Sequence, residues 1–169
     1  ALLALGIGKE DEVIVPVFTY IASVNAINYV GAKPIFVDAD EYDWNINVNK
    51  IEEKITPKTK AIMAVHLFGA VCEISKLKKI CKKHKLFLIE DTSEAFGSRY
   101  GDKLAGTFGD ISTFSLYANK TITAGEGGLV CSNSKELIDI ANNLKNHAVS
   151  EQGVYDHNDF GFNFRMTNI

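Results

Sequence analysis

The sequence predicts an α/β fold with a mostly parallel sheet and helices on both of its faces. Short runs rich in β-branched residues alternate along the chain with segments of helical periodicity. The runs are apolar throughout, as in residues 86–91, which is typical of strands buried on both sides. A chain of 169 residues that is 46% hydrophobic is large enough to bury such a sheet in one globular unit.

The N-terminal third predicts a β-α-β unit. The opening residues are typical of the last turns of a helix, which Gly6 ends as a left-handed cap. A strand, a helix closed by Gly31 and a second strand follow at residues 12–18, 21–30 and 33–38. Parallel strands need a crossover of this kind, so the two strands are expected to lie side by side in one sheet.

The middle of the chain adds a strand between two helices. Residues 47–55 predict a helix that ends before Pro57, and residues 60–68 predict a strand that ends at Gly69. In the next helix, four apolar residues share one face: Ile74, Leu77, Ile80 and Cys81. The lysines of the same segment occupy the other positions, which indicates a solvated face and not a binding patch.

The remaining residues complete the sheet. We expect three strands, at residues 86–91, 111–116 and 128–132, and a final helix at residues 134–147. A glycine-rich stretch separates the first two of these strands. We expect Asn133 to cap the last helix, with Glu136 at the reciprocal position of a capping box.

Composition and charge exclude several classes of function. The 18 Lys and Arg against 21 Asp and Glu give a net charge of −3, without the basic excess of a nucleic-acid binder. The three cysteines form no CxxC pair, so no disulfide framework, zinc or other metal site is expected, and a reducing cytoplasm fits them. No apolar run approaches the ~20 residues of a membrane helix. The missing initiator Met and the abrupt end indicate a fragment of a longer protein.

Reactive side chains follow the predicted strands. Ligands of parallel sheets bind beyond the carboxyl ends of the strands. The residues found there are Thr19, Tyr20, His66, Asp91, Glu94, Ser115 and Lys120. We interpret His66 as structural, because histidines at such positions are more often so.

Lys120 and Asp91 indicate a particular cofactor. A desolvated lysine loses its proton more easily, and its neutral amine can attack an aldehyde to form a Schiff base. Pyridoxal phosphate supplies such an aldehyde, and a buried carboxylate beside its pyridine nitrogen keeps that nitrogen protonated. Asp91, at the end of an apolar strand, is placed for the second role.

Five segments, in order, carry a family resemblance that extends over essentially the whole chain. They are DEVIVPVFTYIASVNAINYVGAKPIFVD, VHLFG, IEDTSEAFGS, TFGDISTFSLYANKTITAGEGGLV and GFNFRMTNI. They resemble the sugar aminotransferases of the DegT/DnrJ/EryC1/StrS family, and most of all its perosamine-synthase-like members. The resemblance implies a fold type I enzyme that uses pyridoxal phosphate. It also implies that residues 1–169 are part of the large domain, without the N-terminal segment and the C-terminal small domain.

The resemblance implies a role for each matching residue. Lys120 is the Schiff-base lysine and proton shuttle, and Asp91 pairs with the pyridinium nitrogen. Glu94 approaches the 3-hydroxyl of the ring, and Tyr20 stacks on the ring. Ser115 hydrogen-bonds the phosphate. Thr92 and Ser93 depart from the small apolar pair usual in the family, and Ala148 stands where a glycine is usual, changes that affect the pocket and not the core chemistry.

The resemblance also implies partners. Asn163 is expected to reach the cofactor phosphate of the neighbouring subunit, so that a homodimer shares its active sites. The implied reaction is a ping-pong transfer of an amino group, from glutamate as donor to a keto group on a nucleotide-linked deoxysugar.

Plainer interpretations stay open for the same residues. Lys120 is also compatible with an exposed loop, Asp91 with the N-cap of a helix that begins at Thr92, and Glu94 with an exposed first turn. Tyr20 also suits a core aromatic, and Ser115 a residue that satisfies the backbone at a strand end. Asn163 also suits an ordinary turn. The rival functions are a pyridoxal-phosphate-dependent sugar dehydratase and a catalytically silent scaffold. The related dehydratases carry His at the position of Lys120, which argues against the first.

Overall fold

A computed structural model describes residues 1–150, 156–157 and 159–168. Strands and α-helices follow one another in this part of the chain as β1 (Glu12–Pro16), α1 (Ile21–Tyr29), β2 (Lys33–Val37), β3 (Thr59–Val65), α2 (Ile74–His84), β4 (Phe87–Asp91), β5 (Arg99–Tyr100), β6 (Lys103–Leu104), β7 (Ile111–Ser115), β8 (Gly128–Cys131) and α3 (Lys135–Lys145). None of the helices described is long and apolar enough to span a membrane.

Six of the strands form one sheet in the order β2-β1-β3-β4-β7-β8. All neighbours are parallel except β7 and β8, which pair antiparallel. The register places Asp91 opposite Val65 on one side and Thr113 on the other, so the carboxyl ends of β3, β4 and β7 share one edge. The predicted mostly parallel sheet is confirmed. A small hairpin of β5 and β6, which was not predicted, stands apart from it.

Both faces of the sheet are covered. Alternate residues of a strand point to opposite faces. Val13 and Ile89 belong to a buried cluster that includes residues of α1 and packs against α3. Ile14 and Leu88 belong to a second cluster, which includes the apolar face of α2. The expected arrangement of helices on both faces is confirmed.

The predicted helix over residues 47–55 is wrong. Two short 3₁₀ turns, Val48–Lys50 and Glu52–Lys54, occupy this segment. The side chain of Asn47 accepts a hydrogen bond of 3.1 Å from the backbone N–H of Asn49. Asparagine side chains that bond locally in this way compete with helix formation and favour caps and turns.

Two predicted strands end at least two residues earlier than expected. The first, predicted over residues 12–18, stops at Pro16, and the one predicted over residues 60–68 stops at Val65. Phe68 and Gly69 have φ values of 51° and 85°. Left-handed backbone of this kind is incompatible with a strand.

The helix caps are confirmed in part. Gly6 and Gly31 have φ values of 70° and 79°, as expected for residues that end helical segments. Ser134, and not Asn133, caps α3, because its hydroxyl accepts a hydrogen bond of 3.3 Å from the N–H of Leu137. This shift of one residue places Glu136 at the second helical position, so the predicted capping box is wrong.

Candidate functional site

The shared carboxyl edge of β3, β4 and β7 brings together the acidic and basic side chains predicted from the sequence. Asp91 ends β4, Glu94 lies in the turn that follows, and Lys120 lies in the loop between β7 and β8. With Tyr20 and Ser23 at the start of α1, these residues line a cavity of about 50 Å³. A wider cleft of about 420 Å³ adjoins this cavity and shares Glu94 and Lys120 with it.

Both carboxylate oxygens of Asp91 are held by hydrogen bonds. The hydroxyl of Ser23 donates to Oδ2 over 2.7 Å, and the backbone N–H of Ser93 donates to Oδ1 over 3.1 Å. No helix begins at Thr92 among the described residues, so the alternative of Asp91 as a helix N-cap is wrong. The side chain instead bonds a turn two residues ahead and faces the cavity.

Ser23 was missed by the sequence reasoning. It lies on the buried side of α1, where it is 6% exposed. The other buried residues of this helix are Val24 and Ile27. A serine among the buried residues of a helix needs a hydrogen-bond partner, and this was the available signal. The identity of the partner depends on how α1 packs against the sheet.

Glu94 connects Lys120 to the backbone on the other side of the cavity. Its Oε2 accepts a hydrogen bond of 2.9 Å from the N–H of Phe68, and its Oε1 lies 4.0 Å from Nζ of Lys120. The side chains of Lys120 and Glu94 are 23% and 28% exposed. Both side chains are therefore partly buried, although Lys120 lies in a loop whose neighbouring residues are exposed, so its alternative as a loop lysine stays open. Glu94 is not a first-turn acid, because no helix follows Asp91 among the described residues before β5.

The turn that contains Phe68 is strained, and hydrogen bonds from a buried side chain hold it in place. A bulky residue with positive φ is an outlier that its surroundings must hold in place. Buried Asn45 accepts a hydrogen bond of 3.2 Å from the N–H of Leu67 and donates one of 3.2 Å to the carbonyl of Ala70. The two bonds hold the backbone on either side of Phe68. Phe68 itself is 76% exposed and lies beside the wider cleft.

Tyr20 and Ser115 occupy different surroundings. Tyr20 is 73% exposed and lines the cavity from the start of α1, so it is not a core aromatic. Ser115 ends β7, and its hydroxyl accepts a hydrogen bond of 3.2 Å from the N–H of Tyr117. The predicted phosphate contact of Ser115 stays a prediction, because the described lining of the cavity does not include this residue.

Asn163 lies on a different part of the chain's surface. It is exposed and forms an isolated antiparallel bridge with Asn146, just beyond the end of α3. The neighbouring N–H of Phe164 donates to the carbonyl of Lys145 over 3.0 Å. Asn163 is not among the described residues that line the cavity of its own chain, and its role across a dimer stays a prediction.

His66 and Glu90 form a fully buried pair on the opposite face of the sheet. Nδ1 of His66 accepts a hydrogen bond from the N–H of Cys72, so Nε2 carries the proton and donates to Glu90 over 3.0 Å. Burial raises the pKa of Glu90, but hydrogen bonds from His66 and from the N–H groups of Gly109, Gly106 and Phe108 outweigh it and hold the pKa below its ordinary value. The structural interpretation of His66 is confirmed.

The described residues contain no group of three or more His, Cys, Asp or Glu side chains that could hold a metal ion. The cavity presents one amine, two carboxylates and the hydrogen-bond donors around them. An amine that faces one carboxylate, with a second carboxylate held rigidly in the same cavity, suits a ligand that offers both a carbonyl group and a basic nitrogen.

The chain is similar to two GDP-perosamine synthases and to a protein whose structure was solved with the cofactor PMP. It is 57% identical to the GDP-perosamine synthase of Escherichia coli O157:H7 and 50% identical to that of Vibrio cholerae, over 100% of this chain and 46% of each relative. NtdA of Bacillus subtilis, solved with bound cofactor PMP, is 35% identical with a TM-score of 0.88, over 98% of this chain and 38% of that one.

The matches cover all of this chain but only part of the relatives. The chain spans about half the length of the curated relatives it matches, 46% in both cases. The model of the DegT/DnrJ/EryC1/StrS aminotransferase family matches all of residues 1–169. The chain belongs to the DegT/DnrJ/EryC1/StrS aminotransferase family.

Proposed function

We propose that the protein is a pyridoxal-phosphate-dependent aminotransferase that transfers an amino group, from glutamate as donor, to a keto group on a nucleotide-linked deoxysugar. The observation that carries the proposal is the meeting of Lys120, Glu94 and Asp91 in one cavity at the carboxyl edge of the sheet. The two relatives support the substrate class, because both are GDP-perosamine synthases.

The residues of the cavity fit the cofactor. Lys120 offers the amine that binds the cofactor's aldehyde, and Asp91 offers a carboxylate, whose two oxygens are held by Ser23 and Ser93, for the ring nitrogen. Tyr20 offers an exposed aromatic surface at the same cavity for the ring. When bound, pyridoxal phosphate supplies an electron-withdrawing ring that stabilises negative charge on the substrate carbon.

Each charged side chain has a separate task in this proposal. Nζ of Lys120 would take a proton from the amino donor's carbon as a base and, as an acid, deliver it to the C4′ carbon of the cofactor. The Glu94 carboxylate, 4.0 Å from Nζ of Lys120, would approach the 3-hydroxyl of the cofactor ring. Asp91 holds the proton on the ring nitrogen through its fixed negative charge.

Two more residues complete the proposed site in the full-length protein. The hydroxyl of Ser115 binds the cofactor phosphate, at the end of the strand that leads to the Lys120 loop. Asn163 is exposed, which leaves its side chain available to a second chain. We place its contact at the cofactor phosphate of the other protomer in a two-fold dimer.

The proposal also assigns residues 1–169 to a domain and the enzyme to a cellular compartment. Residues 1–169 belong to the large, cofactor-binding domain, and the substrate side of the pocket includes residues beyond them. The buried cysteines Cys72 and Cys81 are free thiols, which supports a reducing cytoplasm.

A labelling experiment tests the proposal. Borohydride reduction of the full-length protein with pyridoxal phosphate is expected to fix a pyridoxyl group on the peptide that contains Lys120. Lys103, which lies exposed in β6, is the internal control. The same preparation, given glutamate and a panel of keto-sugar nucleotides, is expected to yield an aminated sugar detectable by mass. Label on Lys103 instead of Lys120, or no aminated product, would contradict the proposal.

A further inference from the structure

The contact between Ser23 and Asp91 crosses from α1 to the end of β4. Ser23 is 6% exposed, and its hydroxyl lies 2.7 Å from Oδ2 of Asp91. Hydrogen bonds to a carboxylate are stronger than those between neutral groups, and the distance lies within the range of about 2.5–2.7 Å that is usual for a hydroxyl donating to a carboxylate. The contact joins residues that are 68 positions apart in the chain, so it ties the helix to the rim of the cavity.

The direction of this bond follows from the chemistry of its two groups. An ionised carboxylate only accepts hydrogen bonds, so Ser23 must donate to Asp91. The lone pairs of the Ser23 oxygen are then left to accept a hydrogen bond, and Oγ1 of Thr19 lies 3.2 Å away. If Ser23 donates to Asp91, Thr19 is the donor in its contact with Ser23, and the carbonyl of Tyr20, 3.4 Å from Oγ1, is a second acceptor for the same Thr19 proton.

The two oxygens of Asp91 are fixed from different directions. Ser23 holds Oδ2, and the backbone N–H of Ser93 holds Oδ1. Two donors from separate elements define the plane of the carboxylate, which a single bond would leave free to rotate. Both donors interact with the ionised form of the carboxylate, which is the form that accepts a hydrogen bond from a protonated ligand nitrogen.

We propose that Ser23 is a positioning residue, which orients the Asp91 carboxylate and keeps the shared proton on the ring nitrogen of the cofactor. This inference rests on the proposed function, because it assigns that nitrogen as the partner of Asp91. Ser23 acts through Asp91 and needs no contact with the cofactor. Oγ1 of Thr19 lies 3.2 Å from the hydroxyl oxygen of Ser23, where it can donate to one of the two lone pairs of that oxygen.

Three variants of the full-length protein separate positioning from a general effect on folding. Ser23→Ala removes the hydroxyl and keeps a good helix former in α1. Ser23→Thr restores a hydroxyl at the same position. Ser75→Ala is the matched control, because Ser75 lies exposed in α2 and its hydroxyl bonds only Tyr100 among the described side chains.

Two measurements are needed on each variant. Pyridoxal phosphate labelled with ¹⁵N at the ring gives an NMR shift that reports whether the ring nitrogen is protonated, without any turnover. Steady-state kinetics with glutamate separates kcat from KM. We expect Ser23→Ala to move the ¹⁵N shift toward the unprotonated nitrogen and to lower kcat about tenfold, the effect of losing one hydrogen bond to a charged group, with little change in KM.

The outcomes distinguish the inference from the proposed function. Return of both values toward the parent in Ser23→Thr, with Ser75→Ala equal to the parent, supports the inference. It is overturned if Ser23→Ala keeps the ¹⁵N shift of the parent, or if Ser23→Thr restores neither value. If the parent protein itself holds no cofactor in the labelling experiment, the proposed function fails first, and it fails independently of Ser23.

Discussion

The substitution Glu90→Gln is expected to destabilise the protein strongly, although it changes only one atom. Oε1 of Glu90 accepts hydrogen bonds from the N–H groups of Phe108 and Gly109, over 2.7 Å and 2.6 Å. Oε2 accepts from the N–H of Gly106 over 2.8 Å and from His66 over 3.0 Å. Whichever oxygen becomes an amide nitrogen, its N–H groups then face two other donors.

The expected magnitude follows from these contacts. A buried donor left without an acceptor costs about 1–3 kcal/mol, so two of them cost about 2–6 kcal/mol of the free energy of unfolding. His66 can relieve one clash by moving its proton to Nδ1, but the N–H of Cys72 then loses its acceptor. Retreat of the loop is also opposed by Asp110, whose N–H donates to the carbonyl of Leu88 over 2.9 Å and whose Oδ2 accepts from the N–H of Leu88 over 2.8 Å.

Urea unfolding of the full-length protein, followed by circular dichroism, measures this loss. With a dependence of about 2 kcal/mol per molar urea, the midpoint is expected to fall by about 1–3 M. Glu136→Gln is the matched control, because Glu136 lies exposed in the first turn of α3. Surface changes of this kind alter stability by no more than about 0.5 kcal/mol.

The pH dependence adds an independent check. Because the pKa of Glu90 is lowered in the folded protein, its ionised form contributes stability that is fully present above the ordinary glutamate pKa of about 4.3. This contribution is lost as the pH falls through the lowered, folded-state pKa. The gap between the parent and Glu90→Gln is therefore expected to be constant near neutral pH and to close in acid. Equal midpoints for Glu90→Gln and Glu136→Gln at neutral pH would refute the reasoning.

Two further predictions concern the proposed chemistry. Asp91→Asn in the full-length protein is expected to keep the cofactor bound, seen by absorbance, and to lower turnover about 10²-fold or more, because an amide carries no charge to hold the ring proton. Parent-like turnover would contradict the role of Asp91. Mixing Lys120→Ala and Asn163→Ala chains, each poorly active alone, is expected to restore up to about half of the parent's activity per dimer, because one of the two sites is then intact. No restoration after verified exchange of subunits would place Asn163 outside the partner's site.

The order of elements and the position of the site were predictable because they depend on short segments. Apolar runs gave the strands of the sheet, and the rule that ligands bind at carboxyl ends selected Asp91 and Lys120. The cavity brings these two together with Glu94, as expected. Local chemistry that overrides periodicity was harder to predict. The local hydrogen bond of Asn47 favours 3₁₀ turns where periodicity predicted a helix. Ser134 caps α3, although Asn133 was predicted to do so.

The supporting contacts were not predictable, because they join distant segments. Asn45 bonds Leu67 across 22 positions, and Ser23 bonds Asp91 across 68. A sequence shows that a buried polar side chain needs a partner, but the partner depends on the rotation and tilt of packed elements. The left-handed turn at Phe68 belongs to the same class, because the bonds from Asn45 and Glu94 hold it there.

Adjacent residues Glu90 and Asp91 show how one strand serves both the fold and the site. Successive side chains of a strand point to opposite faces, so the pleat sends Glu90 toward His66 and Asp91 toward Ser23. Glu90 has every oxygen occupied by donors of the protein and no exposure, so its charge serves the fold. Asp91 is half-buried, has one donor on each oxygen and lines the cavity, so it retains acceptor capacity for a ligand. Because a shift of one residue in the register of β4 would exchange the two carboxylates, the bonds that Glu90 makes on the far face also keep Asp91 directed into the cavity.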